Sequence, residues 1–121
     1  MTQRPYEKLI VWQEAYKLHL WIYSLTEKFP KKEQYSLVKQ MRTAAYSVPM
    51  NIAEGNAKRT PKHKCQFFEI GLGSLEELHC QTRMACDLHY ITEEEFHKTD
   101  EHINRVSYLL TRLRAAFKKH P

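Results

Sequence analysis

The sequence predicts an all-α fold, an up-down-up-down four-helix bundle in a single domain over residues 1–121. Three observations predict it. Apolar residues recur at alternating steps of four and three along four separate stretches, the pattern of a helix with one buried face. Only three of the 121 residues are glycine, and the five prolines stand near places where elements should start, stop or kink. The connections between the periodic stretches are short, so neighbouring helices should run antiparallel.

The expected helices span about residues 6–29, 31–58, 61–89 and 93–118. In the first, Val11, Ala15, Leu18, Ile22, Leu25 and Phe29 form the seam, and Pro30 stops the helix. In the second, Leu37, Met41, Ala44, Ala45, Val48 and Ile52 form the seam. Pro49 falls inside it and should kink or loosen the helix. The third opens on Thr60-Pro61, a capping threonine followed by a proline at the first helical position, where its missing N–H costs nothing. Its stripe is Phe68, Gly71, Leu75, Leu78, Thr82, Ala85 and His89. Gly71 and Gly73 sit mid-helix at a cost of roughly 1 kcal/mol each relative to alanine, which close approach of a neighbouring helix would explain. The fourth opens with Thr92 and Glu95 at capping-box spacing. Glu93, Glu94 and Glu95 also suit the positive end of the helix dipole. Phe96, Ile103, Val106, Leu110, Leu113 and Phe117 follow as its seam.

A content of 42% hydrophobic and 27% charged residues is that of a globular domain. No apolar run approaches the roughly 18 residues of a membrane span, and residues 1–7 lack the apolar core of a signal peptide. The expected compartment is the cytoplasm, with no membrane partner. The three cysteines, Cys65, Cys80 and Cys86, show no CxxC spacing and are expected as reduced thiols.

Helix one carries a second stripe, Trp12, Tyr16, His19 and Tyr23, about a quarter-turn from its seam at roughly 100° per residue. Leu9 and Leu20 widen the apolar arc further. Either the stripe is buried against helices of the same chain, or it is a subunit interface, where Trp and Tyr are enriched. The interface is the preferred reading.

No catalytic constellation stands out, so no enzymatic activity and no cofactor are expected. Ser47 and Ser74 lack a nucleophile-elbow context. Glu76-Glu77 and Glu93-Glu94-Glu95 read as solvated faces or caps. Glu76 and His79 have the spacing of a di-metal bundle motif, but no second pair matches them. Cys86 and His89 are two ligands one turn apart and do not make a zinc site. No metal is expected, and His79 and His89 are expected as packed polar residues.

Charge is more informative. The formal net charge is +5, and the up-down order gathers the basic residues at one end. That end holds Arg4 and Lys8, then Lys58, Arg59, Lys62, His63 and Lys64, then Arg112, Arg114, Lys118, Lys119 and His120. The other end is mixed to acidic, with Glu27, Lys28, Lys31, Lys32, Glu33, Glu93, Glu94, Glu95, Asp100 and Glu101. Dipole complementarity accounts for the basic end of helix four, but less well for Lys58 to Lys64. The expected nucleic-acid contacts are Lys58, Arg59, Lys62, Lys64, Arg112, Arg114, Lys118 and Lys119. No base-reading motif accompanies them, so RNA or DNA would be bound by backbone or shape.

The centre of the chain reads Phe29-Pro30, Glu33-x-Tyr35-x-Leu37, Gln40-x-Arg42 and Ala44-Ala45-x-Ser47-Val48-Pro49-x-Asn51-Ile52-Ala53-Glu54-Gly55. With Leu9-x-Val11-Trp12-x-x-Ala15, Gly73-Ser74-Leu75-x-Glu77-Leu78 and Leu88-x-Tyr90-Ile91, it resembles the bacterial four-helix-bundle proteins encoded in intervening sequences of 23S rRNA genes. The resemblance covers nearly the whole chain. Ser36 stands where that family usually has glycine, and Thr43 where it commonly has a second arginine. The resemblance implies a ring-shaped homopentamer without known enzymatic activity. It also implies kinship with accessory proteins of diversity-generating retroelements, which bind a reverse transcriptase and nucleic acid. A reverse transcriptase or other nucleic-acid enzyme is therefore an alternative partner. Asn51, Glu54 and Gly55 carry the most specific part of the motif. Their expected roles are structural: satisfying backbone groups near Pro49 or pairing across an interface for the first two, and close packing or helix termination for Gly55.

Overall fold

A computed structural model describes residues 3–118. Its four α-helices are α1 (Ile10–Thr26), α2 (Leu37–Ala57), α3 (Pro61–Asp87) and α4 (Glu93–Lys118), with short 3-10 turns at Pro5–Lys8 and Lys31–Glu33. Adjacent helices pack in the order α1, α2, α3, α4 and back to α1, so α1 and α3 stand at opposite corners. Every adjacent pair is antiparallel, as cross-helix pairings show. Glu14 meets Arg105 while Trp21 meets Thr99, and Cys65 meets Arg114 while His79 meets Asp100.

The first seam is buried as its spacing predicts, from Val11 through Phe29, although α1 itself ends at Thr26, three residues earlier than expected, and Phe29 packs from the turn that follows. Met41, Ala44, Ala45, Val48 and Ile52 of α2 are buried too. Phe68, Leu75, Leu78 and Ala85 of α3 and Phe96, Ile103, Val106 and Leu110 of α4 complete one core. Each large aliphatic or aromatic side chain removed from water contributes on the order of 1.5–3 kcal/mol. The few buried polar side chains are mostly satisfied locally. Thr26, Thr82 and Thr99 donate to carbonyls one turn back at 2.7–2.8 Å, and Thr99 also accepts from Trp21 Nε1 at 2.8 Å.

Several boundaries differ from expectation. Residues 6–8 and 31–33 lie in 3-10 turns outside the α-helices, so α1 and α2 start later than the apolar pattern suggests. The Ser36 hydroxyl donates to Glu33 Oε1 at 2.6 Å, and the Tyr90 hydroxyl donates to Glu33 Oε2 at 2.7 Å. These bonds fold the segment before α2 against the bundle end and hold the Glu33 carboxyl below the ordinary carboxylate range. The α-helix runs unbroken through the buried Pro49. α3 ends at Asp87, two residues early, because His89 adopts φ 64°. Tyr90 N–H then reaches the Ala85 carbonyl at 2.9 Å and His89 N–H the Cys86 carbonyl at 3.0 Å, the paired bonds of a Schellman end. His89 is exposed, which corrects its expected place in the packed stripe.

Candidate nucleic-acid interface

Three short stretches build the basic end. α2 closes where Lys58 N–H bonds the Gly55 carbonyl at 3.1 Å. α3 opens two residues later, where Thr60 Oγ1 accepts from His63 N–H at 3.2 Å and Pro61 takes the first helical position. Gly55 makes the tight turn possible: a β-carbon there would stand 2.7 Å from Phe68 Cε1 and 3.0 Å from Phe67 Cβ. α4 arrives beside this turn, its Phe117 ring 6.2 Å from that of Phe68. The first turn of the chain joins them, with Arg4 and Tyr6 lining a groove against Ala53, Asn56 and Ala57.

The structure divides the predicted phosphate contacts into two groups. Lys64 donates to the Asn56 carbonyl at 2.8 Å and lies 5.3 Å from the Phe117 ring. Lys58 stands 5.0 Å from the Phe67 ring. Arg114 is 3.9 Å from Glu69, and its Nε is enclosed without a partner. These three are partly buried and close the bundle end. Arg112 donates to the Tyr108 hydroxyl at 3.0 Å on the outer face of α4. Arg59, Lys62 and Lys118 are exposed, and among the described residues none of them has a carboxylate within ion-pair distance. Lys62 and Lys118 line one groove with Pro61, Cys65, Gln66, Phe117 and the exposed acid Glu69. Lys119 lies outside the described residues.

The stripe on α1 is longer than its sequence spacing reveals. Trp12 and Tyr16 stack with ring centroids 5.0 Å apart, and His19 follows 5.9 Å from Tyr16 and 6.0 Å from Tyr23. Tyr6 extends the row at one end, 5.1 Å from Trp12. Tyr46 of α2 joins it, 6.5 Å from His19. The guanidinium of Arg42 lies 3.8 Å from the Tyr23 ring centroid. Sequence spacing missed Tyr6, Tyr46 and Arg42 because they belong to other elements. The row is only half-covered: Tyr16, Tyr23 and Tyr46 keep 43%, 46% and 41% of their surface exposed. His19 Nδ1 is enclosed without a partner, and burial pushes the pKa of this imidazole below its ordinary value.

Of the motif residues, Asn51 donates from Nδ2 to the Ser47 carbonyl at 2.8 Å and to Ser47 Oγ at 3.0 Å. Ser47 Oγ in turn lies 2.8 Å from Ser74 Oγ. These hydroxyls are thus engaged with groups that are not bases. Glu54 is exposed, and Gly55 serves close packing. His79 pairs with Asp100 at 3.1 Å. Among the described residues no three side chains are grouped to hold a metal ion, and no helix is long and apolar enough to cross a membrane.

The family model described as 23S rRNA-intervening sequence protein matches residues 7–112. No curated protein matches the chain. Among solved structures, the chain is similar to a protein of unknown function from the S23 ribosomal protein family of Bacteroides thetaiotaomicron VPI-5482. The TM-score is 0.81 at 17% identity, over 88% of this chain and 96% of that one. At that identity the likeness concerns the fold.

Proposed function

This chain belongs to the 23S rRNA-intervening sequence protein family, and we propose that it works as a non-enzymatic, oligomeric bundle binding the backbone of structured RNA or DNA at its basic end. The observation that carries this reading is the exposure of Arg59, Lys62 and Lys118, brought from two stretches of chain to one end. Cations that neutralise phosphates release condensed counterions, so affinity falls steeply with salt. The α1 stripe joins copies into a ring-shaped homopentamer. A ring whose axis follows the helices sets all basic ends on one side, which raises avidity for a long polyanion.

The test is nucleic-acid binding across a salt series with wild type and an Arg59→Glu/Lys62→Glu variant. Wild type should show log affinity falling linearly with log salt. The variant should bind more weakly, with its slope reduced by about one for each phosphate that is no longer neutralised. Equal affinity and slope would overturn the reading. A binding partner that survives nuclease digestion would instead favour a protein adaptor, with a nucleic-acid enzyme as partner.

A further inference from the structure

Gly71 and Gly73 have different neighbours. A β-carbon on Gly71 would stand 3.1 Å from Leu110 Cδ2, whereas one on Gly73 would meet nothing within 4 Å. A glycine in mid-helix weakens the helix relative to alanine, and among the described residues no group needs the space at Gly73. The outer face of α3 and its C-cap carry exposed apolar side chains, interspersed with the exposed Glu69, Glu76 and Glu77. Ile70, Met84 and Leu88 are 52%, 49% and 51% exposed, and Cys80 is exposed beside them.

Gly73 lies level with the aromatic row on another side of the bundle. The adjacent Ser74 bonds Ser47, and Tyr46, the residue before Ser47, meets His19 in that row. About one turn along α3 from Gly73, Glu77 lines a groove that Gln40 of α2 also lines. Arg42 lies at nearly that level on the aromatic side, over Tyr23.

We propose that the aromatic α1–α2 face of one copy of this chain docks head-to-tail on the α3 face around Gly73 of the next copy. This rests on the oligomeric reading above and names both halves of the contact. Half-exposed rings on one face stand level with bare backbone on the other, so bulk meets space. Charge agrees as well. Arg42 and the exposed Lys39 edge the aromatic face, while the exposed Glu77 and Asp87 edge the groove beside Met84 and Leu88. The two surfaces differ, so the contact is heterologous, and a rotation axis along the helices closes it into a ring with its contacts kept at one level.

Gly73→Arg tests the docking, since the open space at Gly73 lets the single chain fold with the larger side chain. Sedimentation velocity should give an oligomer for wild type and a monomer for Gly73→Arg, with helical circular dichroism unchanged. Lys39→Cys supplies a thiol on the aromatic face. Oxidation should link it to native Cys80 of a neighbour and give a ladder of species beyond the dimer, abolished when Cys80→Ser is added. A Gly73→Arg protein of unchanged mass, or a dimer alone that persists with Cys80→Ser, overturns the head-to-tail docking and leaves oligomerisation standing. A monomeric wild type overturns both.

Discussion

The Lys64 ammonium donates to the backbone carbonyl of Asn56 at 2.8 Å. That carbonyl is among the last four of α2, which have no intrahelical donor of their own. Lys62, two residues earlier on α3, is exposed instead. Two lysines of one basic run therefore have different tasks.

Lys64→Ala should lower stability by about 1–2 kcal/mol, the range of a partly exposed charged hydrogen bond. Lys62→Ala should stay within about 0.5 kcal/mol of wild type, as surface substitutions do. In nucleic-acid binding, Lys62→Ala should reduce the salt dependence. Urea denaturation and a salt series on the same variants check both halves.

Gly55→Ala should destabilise the protein by about 1–3 kcal/mol, the usual range for overpacking. Alanine gains roughly 1 kcal/mol in helix propensity. The added carbon, however, would stand 2.7 Å from Cε1 of the fully buried Phe68 and 3.0 Å from Phe67 Cβ. Chemical denaturation reads the sign. A stabilised variant would mean that both rings move aside freely.

His89→Gly should stabilise by roughly 0.5–1 kcal/mol, because a left-handed residue with a β-carbon bears strain that glycine avoids. His89 is the residue with φ 64° that ends α3, and its exposed side chain contributes little burial. A lower thermal midpoint would contradict this.

Stability should fall as pH drops below about 6.5. The His102 imidazole lies between α1 and α4, with Nε2 3.0 Å from the Glu14 carbonyl. Burial pushes its pKa below the ordinary 6.5, outweighing the opposite pull of Glu14, and burial lowers His19 likewise. A group whose pKa is depressed on folding contributes stability above its unfolded pKa and loses it as pH falls through the folded one. The unfolding midpoint should therefore decline on acidification from pH 6.5, and His102→Gln should flatten part of that decline. At lower pH, protonation of Glu14 should add to the loss. Partial burial raises its pKa, but hydrogen bonds from Arg105 and Lys17 outweigh this and hold it below its ordinary 4.5.

Much of the fold is legible in residue spacing. The seam from Val11 to Phe29 is buried throughout. The Thr92–Glu95 box forms with both reciprocal bonds, at 2.9 and 3.0 Å. The boundaries are less legible, because a 3-10 turn and a left-handed histidine preserve the apolar rhythm while ending the α-helix. At the basic end, counting charges finds the right place without telling Lys64 from Lys62.

The sequence by itself determines four amphipathic helices, their buried faces, two of their N-terminal caps and the end at which positive charge collects. These follow from the 3.6-residue turn and from backbone groups left unpaired at helix ends, both local properties. Only the tertiary structure separates Gly71, pressed by Leu110, from Gly73, which meets nothing. It alone joins Tyr6 and Tyr46 to the aromatic row. The identity of a neighbour across a helix–helix interface depends on which turns of separate helices come level, and spacing along one helix carries no record of that.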